Sequence, residues 1–173
     1  VSVLERTVRI GARTGLRVDS MLSAALIAEA VNPSSELWLV SPWITDVQVL
    51  DNSHGAYDSF FGDVPPLGWR LSEALTRIAS PEARVHVVTR PAPHNAAFLQ
   101  HLESAPERDY IRIVQSPDVH EKTLCGEDWI LTGSMNYTIR GMAVNDESVT
   151  YKVGGPDAGQ ARLDLRQRWG VGA

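Results

Sequence analysis

Residues 119–138 read VHEKTLCGEDWILTGSMNYT and gather the chain's most telling polar groups into twenty positions. His120 and Lys122 stand two apart. Val119 to Leu124 is expected as a strand, and alternate side chains of a strand share a face, so the imidazole and the ammonium would lie side by side. A turn, Gly126-Glu127-Asp128, then leads into a second short strand, Trp129 to Thr132. Gly133-Ser134-Met135-Asn136 follows that strand and is expected to open a short helix, Met135 to Met142. Backbone N–H groups at a helix N-terminus bind anions. Lys122 adds a compact positive charge, and Ser134 and Asn136 add neutral donors. The combination predicts a phosphate cradle with a histidine in it, serving as nucleophile or as acid–base.

Outward from this segment the elements alternate. A helix is expected from Ser20 to Val31, capped by Asp19 and stopped at Asn32-Pro33. Glu36 to Val40 (ELWLV) reads as a short buried strand leading to Ser41-Pro42-Trp43. The stretch from Thr45 to Gly68, rich in Asp, Asn, Ser, Gly and Pro, reads as a long loop of the kind that often carries function. Then come a helix from Trp69 to Ile78, a strand at Arg84 to Thr89, a helix opened near Pro93 and running to Ser104, and a strand at Tyr110 to Val114. Downstream, Ser148 to Val153 is a strand, and Asp157 to Trp169 a final helix. This order predicts an α/β fold, a mixed sheet flanked by helices on both faces. Residues 1–18 are expected as an N-terminal arm or hairpin, and 19–173 as the catalytic domain.

The 173 residues are 43% apolar and 21% charged, enough to bury one core. No apolar run reaches the ~18 residues of a membrane span. The first seventeen residues carry four arginines and no signal-type apolar stretch, so a cytoplasmic protein with no membrane partner is expected. A single cysteine, Cys125, excludes an intramolecular disulfide and a multi-cysteine zinc site. The net charge is −5, so phosphate binding must be local rather than spread over a basic surface. Fourteen of the sixteen basic residues are Arg, which makes the retention of Lys122 and Lys152 worth a question. His54, His86, His94 and His101 lie in unrelated contexts; His86 is expected in the core or on the surface of its strand, and His54 and His94 are candidates for a substrate groove.

His120-x-Lys122, a short strand-turn-strand and Gly133-Ser134-x-Asn136 together resemble the signature of the phospholipase D superfamily. The likeness is closest over Val119 to Val153. It is looser over Leu37 to Thr89, where LWLVSPW resembles the family's first core strand and its Ser-Pro-aromatic exit, and it does not extend before Asp19. The turn at Glu127-Asp128 departs from the commonest spacing and is expected to be structural. The resemblance implies a phospholipase D-like fold and a phosphodiesterase needing no metal and no cofactor. His120 would attack the phosphodiester and form a phosphohistidine. Lys122, Ser134 and Asn136 would hold the non-bridging oxygens. Glu147, in Asn145-Asp146-Glu147, sits where the family carries an acidic residue that fixes the histidine.

The mechanism implied by the family uses two histidines, and the chain has one copy of the motif. A homodimer facing two copies across a twofold axis would supply both, with Trp129, Met135 and Tyr137 as interface candidates. Single-motif members of the family are typically nucleases of that form, which points to nucleic acid, DNA ahead of RNA. The acidic charge leaves room for help from a larger protein complex. A narrower resemblance, to phospholipase D-like proteins of 7-deazapurine DNA-modification clusters, implies a setting in bacterial DNA modification or phage defence. The alternatives are a non-catalytic nucleic-acid-binding or scaffold subunit, or a phospholipase-type phosphodiesterase.

Overall fold

The computed structural model describes residues 3–11, 19–61 and 63–170. Seven strands form one mixed sheet: β1 (Leu4–Ile10), β2 (Glu36–Val40), β5 (Arg84–Thr89), β6 (Ile111–Gln115), β7 (Thr123–Cys125), β8 (Trp129–Gly133) and β9 (Glu147–Val153). Across the sheet the order is β1-β9-β8-β7-β2-β5-β6. Strands β2, β5 and β6 are parallel. Strand β7 runs antiparallel to β2, β8 to β7, β9 to β8, and β1 to β9. These directions have one consequence for function. The chain leaves β2, β5, β6 and β8, and enters β7 and β9, at the same end of the sheet.

Helices cover both faces, as the alternation of elements predicts. On one face, α1 (Asp19–Val31), α2 (Leu71–Ile78) and α3 (Ala96–Ser104) bury Leu22, Leu26, Leu71, Leu75, Phe98 and Leu102 against Leu37, Leu39, Val85 and Val87. On the other, α5 (Asp157–Trp169) packs Ala158 and Leu165 onto Trp38, Val40, Val88 and Ile130. The two clusters alternate along β2 and β5, the period-two pattern of a sheet buried on both sides.

A buried carboxylate locks α1 to the sheet. Glu29, 2% exposed, accepts hydrogen bonds from the Ser34 amide (2.7 Å), the Ser34 hydroxyl (3.1 Å) and the Trp129 indole (2.7 Å). A carboxylate this deep is tolerable because each contact offsets its desolvation. The β7–β8 turn closes over the same spot. A Cβ at Gly126 would stand 2.4 Å from the Trp129 indole nitrogen and 2.6 Å from the Ser34 hydroxyl, and the Glu127 amide donates to that hydroxyl at 2.7 Å. The Glu127-Asp128 turn therefore sits at the end of the sheet opposite the entry to β7, held by backbone contacts.

Several expected boundaries move. The stretch from Thr45 to Gly68 contains β3 (Gln48–Asp51), which pairs antiparallel with β4 (Gly68–Arg70), so Trp69 belongs to a strand and α2 starts at Leu71. The strand expected from Val119 is β7, which begins at Thr123. The helix expected from Met135 is α4 (Ile139–Ala143), which begins four residues later. Of the expected N-terminal arm, Leu4–Ile10 pairs along its length with β9, while residues 12–18 and the capping contacts expected of Asp19 lie outside the described residues.

Candidate active site

The end of the sheet where β2, β5 and β8 finish and β7 and β9 begin carries all five side chains expected to do the chemistry. Ser41-Pro42-Trp43 follows β2, Arg90 follows β5, His120 to Lys122 precede β7, Ser134 and Asn136 follow β8, and Glu147 opens β9. The ladder brings them into register: Val40 pairs with Val88 and with Thr123, Thr123 with Thr132, and Gly133 with Val149.

Gly133 is needed for this arrangement. A Cβ there would lie 2.0 Å from the carbonyl oxygen of Ser148. Without it, β8 and β9 stay close enough for the Ser134 amide to donate to the Ser148 carbonyl (3.0 Å) and the Ser148 amide to donate to the Ser134 hydroxyl (3.1 Å). The Ser134 hydroxyl in turn donates to the Glu147 carboxylate, whose other oxygen accepts from Asn145 at 3.4 Å. Glu147 thus braces Ser134. Among the described residues no hydrogen bond joins it to His120.

Asn136 reaches the site from a non-helical segment rather than from the expected helix start. Residues 135–138 are not helical: Met135 and Tyr137 are buried, and Tyr137 bridges to Ile44, its carbonyl accepting from the Thr45 amide at 2.8 Å. The Asn136 side chain between them meets the Ser41 hydroxyl at 3.4 Å. The cradle therefore owes nothing to a helix N-terminus. Helix α4 starts only at Ile139, where the Thr138 hydroxyl accepts from the Gly141 amide at 3.0 Å as an N-cap. Trp129, Met135 and Tyr137, expected as interface candidates, are core residues, each 5% exposed or less.

His120 is exposed, and Lys122 is half-buried and donates to the His120 carbonyl at 2.7 Å. Between them Glu121 is tied away from the site, to Arg168 of α5 at 2.8 Å and to the Thr123 hydroxyl at 2.8 Å. The imidazole is met by Arg90, whose Nη2 lies 2.9 Å from Nδ1 and 3.0 Å from Nε2. No motif pointed to Arg90, because its contact with His120 arises only from the crossover that places the end of β5 beside β2.

The other titratable groups divide clearly. His94 lies in the short turn of helix Pro93–Asn95 that follows β5, exposed, its Nε2 at 2.9 Å from the Thr45 hydroxyl. His54 lies in the loop after β3. His101 pairs with the buried Asp46 at 2.7 Å. His86 is buried and stacked on Trp38. Burial pushes the Cys125 thiol up to about 12, which leaves it protonated and unreactive as a nucleophile.

The fold is similar to that of NucT from Helicobacter pylori, with a TM-score of 0.61 at 10% identity, over 96% of this chain and 95% of that one. It is also similar to Nuc from Salmonella typhimurium, a phospholipase D family member, with a TM-score of 0.55 at 13% identity over 97% and 94% of the two chains. Polyphosphate kinase from Porphyromonas gingivalis is similar over 98% of this chain and 24% of that one, with a TM-score of 0.63 at 17% identity. No protein-family model and no curated protein sequence matches the chain.

Proposed function

On a chain with the phospholipase D-like fold, we propose that His120, Lys122, Ser134, Asn136 and Glu147 form the active site of a metal-independent phosphodiesterase, an endonuclease acting on DNA as a homodimer. The observation that carries this reading is the convergence of all five side chains on one end of the sheet. Lys122 forms no ion pair among the described residues, so its charge is available to an anion.

A neutral ring nitrogen of His120 attacks phosphorus. A P–N bond forms, the bond to the leaving oxygen breaks, and that oxygen takes a proton from the partner's His120. Water then attacks the phosphohistidine, gives a proton back to the same second imidazole, and the P–N bond breaks. Lys122 and Asn136 hold the non-bridging oxygens as charge builds on them, and Ser134 joins them by turning its single hydroxyl proton from Glu147, which holds it in the free protein, onto the phosphate. The exposed apolar residues Trp43, Ile139 and Val144, from segments that flank the site, are suited to a twofold contact. A setting in DNA modification or phage defence fits this reading.

The test is hydrolysis of a DNA oligonucleotide in EDTA. The expected result is turnover that survives the chelator and is lost in His120→Ala, with circular dichroism unchanged. Activity that disappears in EDTA and returns with Mg²⁺ would overturn the phosphohistidine route.

A further inference from the structure

Arg90 makes three contacts, and together they leave its charge uncommitted. Its Nε donates to the Val119 carbonyl at 2.8 Å. Its guanidinium carbon lies 5.2 Å from the centre of the Trp43 ring. Its Nη2 is nearly equidistant from the two ring nitrogens of His120. Those nitrogens flank one carbon and their in-plane directions diverge, so one donor atom cannot align with both. The contact with the imidazole is a resting place rather than a directed hydrogen bond. Among the described residues Arg90 forms no ion pair and its Nη1 has no hydrogen-bond partner.

We propose that Arg90 is a phosphate ligand of this site: it rests on the His120 imidazole in the free protein and turns its Nη groups onto a non-bridging oxygen of the bound phosphodiester. The inference builds on the phosphodiesterase reading. A guanidinium gains more from a phosphate than from a neutral ring, because both partners of the new hydrogen bond are charged. The move is small. The Val119 carbonyl anchors the group at Nε and the Trp43 ring lies beside its carbon, so little side-chain freedom is lost when a phosphate arrives. The same motion uncovers the nitrogens of His120 as the phosphorus comes within reach. A structural brace between Val119 and Trp43 would account for two of the three contacts, but not for unpartnered donors beside the nucleophile.

Tungstate, a phosphate-shaped oxyanion, tests the assignment by calorimetry, independently of turnover. Wild-type protein is expected to bind it, and Arg90→Gln to bind it about tenfold or more weakly, the loss of one charged hydrogen bond. Arg90→Lys should fall between, since it keeps a cation without the planar fork. With bis(4-nitrophenyl) phosphate, Arg90→Gln should raise KM more than it lowers kcat. If Arg90→Gln does not fold, Arg90→Lys decides by the same titration: weaker binding than wild type supports the ligand role. Tungstate binding that is absent in wild type, or equal in wild type and whichever variant folds, overturns the proposal. A wild-type protein that hydrolyses no phosphodiester, yet binds tungstate through Arg90, would sink the hydrolytic reading and leave the ligand assignment standing.

Discussion

Two imidazoles of this chain live in opposite surroundings. His120 faces solvent beside two cations. His86 is 5% exposed, its ring 4.2 Å from that of Trp38, with both nitrogens buried and unpartnered. Burial pushes the His86 pKa down to about 4; Arg112, Arg166 and Arg84 act in the same direction, and Glu36 opposes them. The unfolded imidazole titrates near its ordinary 6.5, so between about 4 and 6.5 the unfolded chain binds the extra proton. Stability should hold above that window and fall as pH drops through it, by roughly 2–3 kcal/mol at its lower limit. His86→Phe keeps the stack and removes the titration. Urea unfolding at pH 7.5 and pH 5 should show a large difference for wild type and a much smaller one for the variant. At the site, Lys122→Ala should lower kcat by about a hundredfold or more with little change in melting temperature, since an oxyanion contact is lost and no structural ion pair is; steady-state kinetics beside a thermal melt checks both halves.

Among the elements, the paired strands β8 and β9 set the site most directly. Gly133→Ala puts a methyl group against the Ser148 carbonyl, so the pairing that carries Ser134 must open. A cost of about 1–3 kcal/mol is expected, with activity falling further than stability because Ser134 loses its register. Urea midpoints and turnover rates on the same preparation separate the two effects. The element order was legible in the sequence, because ELWLV, RVHVVT and SVTYKV are short apolar or β-branched runs between turn residues. Two starts at the site were not. His120 to Lys122 alternate like a strand, but β2 ends at Val40 and turns through Ser41-Pro42, so on that side no strand remains for them to pair with. Met135-Asn136-Tyr137 suggests a helix by proximity to Ile139, yet its burial alternates, and the residue that caps the helix is Thr138. Three alternating residues are too few to separate a strand-like segment from a helical turn by their period alone. The pairing of β3 with β4 was hidden in a loop-like composition, and Arg90 depended on tertiary placement alone.

At the scale of the whole molecule, a net charge of −5 must coexist with the proposed binding of a polyanion. Local placement resolves this: Lys122 and Arg90 converge on His120, while Arg166 and Arg168 of α5 are paired with Glu36 and Glu121. Binding should therefore weaken with salt through only a few phosphate contacts. A second copy facing the first would double the cations in one groove and supply the second imidazole that the proposed reaction requires. The proposed dimer makes a prediction that no monomeric site shares. When wild-type and His120→Ala chains are unfolded together and refolded as an equal mixture, each hybrid dimer holds one imidazole and cannot complete both proton transfers. Activity should then fall to about a quarter of the wild-type value, because only dimers of two wild-type chains turn over, whereas independent sites would give about half. Gel filtration should place the protein near twice its 19.0 kDa chain mass before the mixing experiment is read. A result near half, from a mixture shown to have exchanged chains, would mean that the second proton donor lies within one chain, with exposed His94 beside Thr45 the first residue to replace.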